Sequence, residues 1–193
     1  MNTGAAILPA AAAAAALVDW WAVAAPDASR RQVEVLAKPL TMALLVGVAA
    51  VAGEPDAGVR VALVVGAVLG LVGDVALLGD SESRFLVGLG AFALGHLAYG
   101  AAAVQVGFTA WALVGAACMA ALLGFRFVTR ILPGARRMGG PVLAGAVVFY
   151  GTVISLMVIT AWGMAGAGDS AWLAGGGAIL FAGSDWVLGH NRF

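Results

Sequence analysis

The sequence GLVGDVALL, residues 70–78, places the carboxylate of Asp74 inside an apolar run of roughly twenty residues, about the length of one membrane-spanning helix. A charged side chain in such a run is costly, and it is rare unless it lines a cavity or meets a partner. A second carboxylate, Asp185, has the same setting in FAGSDWVL, residues 181–188. We interpret the rest of the chain as the scaffold that brings these two acids together.

The composition is typical of a membrane protein. Of the 193 residues, 63% are hydrophobic and only 10% are charged, with a mean hydropathy of +1.02, whereas soluble domains carry about 25% charged residues. The sequence therefore predicts one integral membrane domain over residues 1–193, an all-α transmembrane helix bundle. A net charge of zero without a basic block argues against a nucleic-acid partner. The single cysteine, Cys118, excludes an intrachain disulfide.

Apolar segments alternate with short polar or glycine-rich connectors. A cleaved signal peptide is the rival interpretation of the first segment, but it needs a basic start, and the first basic residue is Arg30. The connector 26–37 is polar, and Lys38-Pro39 opens the second segment with proline in a first helical turn. The sequence predicts seven helices, with eight as the alternative, over residues 5–25, 38–53, 59–79, 85–106, 109–129, 141–163 and 171–189.

Basic residues are distributed unevenly over the connectors. With seven helices, the first, third and fifth connectors share one side with the C-terminus, and only Arg60 lies on the other side. Because basic residues favour the cytoplasmic side, the sequence predicts a multi-pass protein of the cell membrane with a cytoplasmic C-terminus. The basic residues on the predicted cytoplasmic side are Arg30, Arg31, Lys38, Arg84, Arg126, Arg130, Arg136, Arg137 and Arg192.

This topology gathers the intramembrane polar side chains on one side of the bilayer. Asp74 and Asp185 each precede the inner end of a segment by about five residues, which is roughly 7 Å of depth. A transmembrane path would need polar groups throughout, so the asymmetry indicates a pocket that opens on one side. The polar groups predicted in the cytoplasmic half are Asp19, Lys38, Asp74, His96, Tyr150 and Asp185.

Four short motifs occur in a fixed order along the chain. They are KPLT at 38–41, GDVALL at 73–78, GAFALGHLAY at 90–99 and SDWVL at 184–188. In this order and spacing the sequence resembles the YhhN family, the lysoplasmalogenase-like membrane proteins, over residues from about 38 to the end. Members of that family are usually drawn with about eight membrane helices.

The resemblance implies hydrolysis of the vinyl ether bond of a lysoplasmalogen to a fatty aldehyde and a glycerophospho-ethanolamine or -choline. The two acids of the family motifs fall on Asp74 and Asp185. A vinyl ether is cleaved by acid through an oxocarbenium ion, and glycoside hydrolases meet a similar cation with two carboxylates. An aspartate pair in an apolar setting is suited to share a proton. One aspartate would be the general acid and the other would stabilise the cation or activate water, without an assignment of which is which.

Further polar residues are candidates for substrate binding. Lys38, His96 and Tyr99 match motif positions; Lys38 would hold the substrate phosphate and His96 would be a second proton carrier. The remaining binding candidates are Tyr150 and Asp19. Each also has a structural explanation: Lys38 as an interface anchor, Asp19 as a side chain that reaches a nearby interface, and the others as packed interior residues. Two histidines and one cysteine make a metal site improbable, so we expect no cofactor; the expected partners are a lysophospholipid and membrane lipids.

Two other functions compete with the hydrolase. A proton- or ion-coupled small transporter would use the same acids as a relay, but the predicted one-sided clustering and the lack of an internal repeat argue against it. A non-catalytic membrane scaffold would leave the buried acids unexplained. Flux into proteoliposomes distinguishes the transporter, and release of aldehyde distinguishes the scaffold.

Overall fold

The described chain is entirely helical. The computed structural model describes residues 3–24, 28–53, 56–79, 81–168 and 171–193, and these ranges contain no strand. The all-α prediction is confirmed. The elements are α1 (Thr3–Ala24), α2 (Ala28–Val51), α3 (Ala57–Leu77), α4 (Glu82–Val106), α5 (Ala112–Arg126), a π-helical segment (Phe127–Ile131), α6 (Leu132–Gly163) and α7 (Ala171–Arg192).

The described helices group into six continuous runs. Because α5, the π-helical segment and α6 follow one another without a loop, the described chain has six helical runs, of which five are long and apolar enough to cross a membrane. The apolar part of α1, Ile7–Val23, is shorter. The chain is therefore a multi-pass membrane protein, whereas the count of seven and the cytoplasmic C-terminus stay predictions.

The run over 112–163 doubles back on itself. As one straight helix it would be roughly 78 Å long, more than twice the thickness of the hydrocarbon core. Its backbone leaves the helical range at Gly124, with φ −47° and ψ −123°, and again at Gly140, with φ +65°, a left-handed value that glycine tolerates best. The connector predicted between the segments 109–129 and 141–163 is therefore not a loop but part of a helical stretch between two breaks.

Close contacts show how the two arms of this run pack. A Cβ on Gly115 of α5 would lie 2.9 Å from Cα of Ile159, and a Cβ on Gly151 would lie 3.4 Å from the ring of Phe127. From Gly115 to Phe127 the contacting residues advance along the chain, while their partners on α6 go back from Ile159 to Gly151. The two arms are therefore antiparallel. Small residues allow this close backbone approach.

The start of α2 corrects the predicted second segment. Residues 28–37, predicted as a connector, are helical, and an i, i+3 ion pair joins Arg31 to Glu34 at 3.5 Å. Helix-forming residues in this stretch let the helix begin before its apolar part. Pro39 consequently lies inside α2 and not in its first turn, and Lys38 is an interior residue of the helix.

The chain divides within α4 into two compact units, Met1–Gly95 and His96–Phe193. In the first unit, glycines mark where helices meet. A Cβ on Gly95 of α4 would lie 3.1 Å from the carbonyl oxygen of Gly66, and a Cβ on Gly70 would lie 2.8 Å from the methyl group of Met42. The pattern Gly66-x-x-x-Gly70 thus forms contacts on α3, as small residues do in membrane bundles.

The second unit has an apolar core between α5, α6 and α7. Val158 is completely buried, and Tyr99, Tyr150 and Trp162 pack against the cluster with part of their surface exposed. At one end of the unit, the hydroxyl group of Thr109 donates a hydrogen bond to the carbonyl oxygen of Gly163 at 2.9 Å. The buried members of the cluster are Met119, Ile154, Met157, Val158, Ala161, Ala178 and Ala182.

Candidate active site

Three side chains in the second unit form a hydrogen-bonded chain, which we call the His96–Tyr150–Asp185 chain. Nε2 of His96 lies 3.0 Å from the hydroxyl oxygen of Tyr150, and that hydroxyl group is hydrogen-bonded to Oδ2 of Asp185. Nε2 of His96 lies 4.0 Å from the same carboxylate oxygen. Only 2% of the His96 surface is exposed, so this histidine is removed from solvent.

The helices bring these residues together through close packing. His96 lies on α4, Tyr150 on α6 and Asp185 on α7. A Cβ on Gly100, one turn after His96, would lie 3.3 Å from the hydroxyl oxygen of Thr160, so a small residue lets α4 approach α6 closely. One turn before Asp185, the ring of Phe181 meets the His96 ring edge-on with a centroid distance of 5.1 Å.

This arrangement can pass a proton from one end to the other. A tyrosine hydroxyl group has one proton to donate and lone pairs to accept. When it donates to Asp185, Nε2 of His96 must be the donor to Tyr150. Reversing both bonds gives the second arrangement, in which a protonated Asp185 donates to Tyr150 and Tyr150 donates to His96. The two arrangements differ by the transfer of one proton between the histidine and the aspartate: in the first the ring is an imidazolium with a proton on both nitrogens, and in the second it is neutral with its proton on Nδ1.

A second group of charged side chains lies in the first unit. Lys38 and Asp19 lie close enough to Asp74 for their charges to act on its carboxyl group, and Lys38 and Glu34 act on Asp19 in the same way. The group thus connects α1, α2 and α3. A substrate phosphate at Lys38 would have to compete with the carboxyl groups of Asp19 and Asp74. The phosphate contact predicted for Lys38 stays a prediction, and this arrangement does not favour it.

The helix end beside Asp74 is held by arginines from the neighbouring helices. Arg31 of α2 donates to the carbonyl oxygen of Leu78 at 3.2 Å, and Arg84 of α4 donates to that of Val75 at 3.2 Å. The last carbonyl groups of a helix have no partner within the helix, and basic side chains there satisfy them. The end of α3 that follows Asp74 is therefore hydrogen-bonded to both α2 and α4.

Several motif residues serve packing. A Cβ on Gly73 would lie 2.7 Å from the ring of Phe92, and a Cβ on Gly88 would lie 2.9 Å from the Leu77 side chain. Gly73 and Leu77 of the GDVALL motif and Phe92 of the GAFALGHLAY motif therefore pack α3 against α4 in the first unit, together with Gly88, which precedes the second motif.

The predicted site residues fall into two groups. Asp19, Lys38 and Asp74 lie near enough in the first unit for their charges to interact, while His96, Tyr150 and Asp185 are hydrogen-bonded in the second. The catalytic pairing of Asp74 with Asp185 stays a prediction. Tyr99 packs against the apolar core of the second unit, and its predicted role in substrate binding stays a prediction.

Two neighbours of these groups were not predicted. Glu34 precedes Lys38 by four residues, so both share a helix face, but the connector assigned to 26–37 concealed this spacing. Phe181 precedes Asp185 by the same interval. Among the residues described, no group of three or more His, Cys, Asp or Glu side chains is arranged to hold a metal ion.

Comparisons with known proteins identify the family. The YhhN family profile matches residues 33–193, which includes all the predicted site residues except Asp19. No curated protein and no solved structure matched the chain. The match covers most of the sequence and contains the four motifs in their order, so the chain belongs to the YhhN family.

Proposed function

We propose that this protein is a lysoplasmalogenase-like hydrolase of the cell membrane, which cleaves the vinyl ether bond of lysoplasmalogens. The observation that carries the proposal is the His96–Tyr150–Asp185 chain, because vinyl ether cleavage begins with proton donation. Membership of the YhhN family supports the substrate class, since the resemblance implies this activity.

The reaction requires one proton donor and one water molecule. A proton from the acid adds to the β-carbon of the vinyl ether, and the electron pair of the double bond forms the new C–H bond. The resulting oxocarbenium ion takes up water and releases a proton, giving a hemiacetal. Breaking its C–O bond to glycerol yields the fatty aldehyde and the glycerophospho-alcohol. Proton donation by a positioned side chain typically contributes about 100-fold to 10,000-fold to such a rate.

Within this proposal, Asp185 is the general acid. Its carboxyl group is connected through Tyr150 to His96, so a proton delivered to substrate can be replaced along the chain. The surroundings of His96 exclude bulk water from this end of the chain, whereas the Asp185 side chain is partly exposed and can reach a substrate. The family resemblance implies a second acid at Asp74, and its part in the reaction stays a prediction that Asp74→Asn tests.

Tyr150→Phe distinguishes two roles of the tyrosine. One is the proton relay proposed here, and the other is the substrate binding that the sequence predicts. It removes the hydroxyl group between His96 and Asp185 and leaves the ring. Losing a hydrogen bond to a charged group costs about 1.5–3 kcal/mol, so we expect kcat to fall about tenfold or more with little change in KM. A rise in KM at constant kcat would instead indicate substrate binding.

Thr152→Val is the matched control for that substitution. Thr152 lies two residues further along α6, is exposed, and donates a hydrogen bond to the Val148 carbonyl oxygen of its own helix at 3.0 Å. We expect its kinetics to equal those of the wild type. Equal losses in both variants would show that a general weakening of α6 is responsible.

The function itself is tested by product analysis with purified protein in detergent. A lysoplasmalogen with an ethanolamine or choline headgroup should give aldehyde and glycerophospho-alcohol in equal amounts. The matching lysolipid with a saturated alkyl ether has no double bond to protonate, so it should give neither product. Absence of aldehyde from folded protein would contradict the proposal, and proton-dependent flux in proteoliposomes would then favour the transporter.

A further inference from the structure

The stretch between the two breaks of the long helical run has a basic face. We call residues 127–140 the basic segment; it includes the π-helical segment and the first part of α6. The side chains of Arg130, Arg136 and Arg137 are exposed, whereas Ile131, Gly134 and Ala135 are buried. The segment is therefore amphipathic, with its arginines away from the packed side.

The packed side of the basic segment lies against the end of α7. The side chain of Ile131 comes within 3.6 Å of the Cβ position on Gly189, and a Cβ on Gly134 would lie 2.7 Å from Phe193. Because α7 covers this side, the segment is held in one orientation and its arginines project from a fixed surface. This differs from a loop, whose basic side chains would have no common direction.

No acidic residue close in sequence neutralises these charges. The sequence has no Asp or Glu between Glu82 and Asp169. The second unit contains five arginines against two aspartates, and one of these, Asp185, is bonded to Tyr150. In the described part of this unit, no carboxylate side chain forms an ion pair with Arg130, Arg136 or Arg137.

The adjoining arm of α6 gives the depth of the basic segment. From Pro141 to Gly163 the arm is roughly 34 Å long, close to the hydrocarbon thickness of a bilayer. At its far end Trp172 lies between Trp111 and Trp162, with ring centroids 4.5 Å and 5.8 Å away. Tryptophans are enriched at the membrane interface, so the opposite end of the arm, where the basic segment lies, belongs at the other interface.

We propose that the exposed arginines of the basic segment bind the phosphate headgroups of anionic phospholipids at the membrane surface. A guanidinium group offers a planar set of donors that matches phosphate oxygens. An anionic headgroup keeps its negative charge, whereas the phosphate of a zwitterionic lipid is balanced by its own ammonium group. Exposed apolar side chains beside the arginines, Val128, Met138 and Val142, would contact the acyl-chain boundary of the same lipids.

The test is native mass spectrometry of the full-length protein in neutral detergent, with phosphatidylglycerol and phosphatidylcholine of equal chain length. We expect the wild type to retain phosphatidylglycerol preferentially. Removing all three charges in R130Q/R136Q/R137Q should weaken its binding about a hundredfold, or about fivefold for each arginine. Added salt should weaken phosphatidylglycerol binding more in the wild type than in the triple variant. Salt screens the attraction of the three arginines, which only the wild type retains.

Arg60→Gln is the control, since Arg60 lies at the start of α3, in the first unit. It should retain phosphatidylglycerol as the wild type does. The three single variants replace the triple variant if the latter does not fold. Equal retention of both lipids by the wild type, or undiminished phosphatidylglycerol binding after the arginines are removed, would overturn the proposal. None of these outcomes depends on hydrolysis, so the lipid site and the proposed activity can fail separately.

Discussion

Replacing Asp185 by Asn should reduce aldehyde release from a lysoplasmalogen at least about 100-fold, and Asp74→Asn should have an effect of the same size. An amide has nearly the shape of a carboxyl group but cannot donate an acidic proton or carry a negative charge. The amide oxygen introduced by Asp185→Asn could still accept a hydrogen bond from Tyr150, so the helices should keep their packing. The measurement is the initial rate of aldehyde formation by each purified variant, together with its thermal unfolding.

Asp56→Asn provides the matched control for these two substitutions. Asp56 precedes α3, where its carboxylate accepts hydrogen bonds from the backbone N–H groups of Gly58 at 2.7 Å and Val59 at 3.1 Å. Asparagine caps a helix about as well as aspartate, so this variant should be fully active. Unchanged rates in the Asp74 or Asp185 variant would remove that residue from the mechanism and leave the hydrolase without its assigned acid.

Gly115→Leu should strongly destabilise the second unit. A Cβ at this position would lie 2.9 Å from both Cα of Ile159 and the carbonyl oxygen of Val158, closer than real Cβ contacts. Because both neighbours are backbone atoms, α5 must move away from α6. Overpacking of this kind costs about 1–3 kcal/mol or more. For a chain of this size we expect the unfolding midpoint in detergent to fall by about 5–10 °C.

Gly145→Leu controls for the new side chain itself. Gly145 lies on α6, is exposed, and has no described atom within 4 Å of its Cβ position. Leucine favours helix more than glycine does, so this variant should be at least as stable as the wild type. If both leucine variants unfolded at the same temperature, the close packing of α5 on α6 would not be a determinant of stability.

The apolar segments were predictable because their hydrophobic length is set by the membrane. The predicted 59–79 and 85–106 correspond to α3 over Ala57–Leu77 and α4 over Glu82–Val106. The predicted helix boundaries are wrong where a polar stretch of sequence is itself helical. Polar residues 28–37 are helical in α2, since Arg31 and Glu34 pair on its surface and helix formation requires no apolar run.

The sequence indicated which polar residues lie within apolar helices but not which of them contact one another. An acid within an apolar run identified Asp74 and Asp185 without knowledge of their neighbours. The bridge through Tyr150 depends on the register of α4, α6 and α7, which is set by contacts such as that of Gly100 with Thr160. A single sequence records no such register, so Tyr150 was predicted only as a binding residue and not as the link between His96 and Asp185.

The first helix changes the electrostatic balance around Asp74, a residue inside the part of the chain that matches the family. The family match begins at residue 33, yet Asp19 of α1 contributes its charge to Lys38 and Asp74. The α1 carboxyl group therefore opposes the effect of the Lys38 ammonium group on Asp74. A substitution at Asp19, outside the matched part of the chain, would thus change the electric potential around Asp74 while every motif residue stays the same.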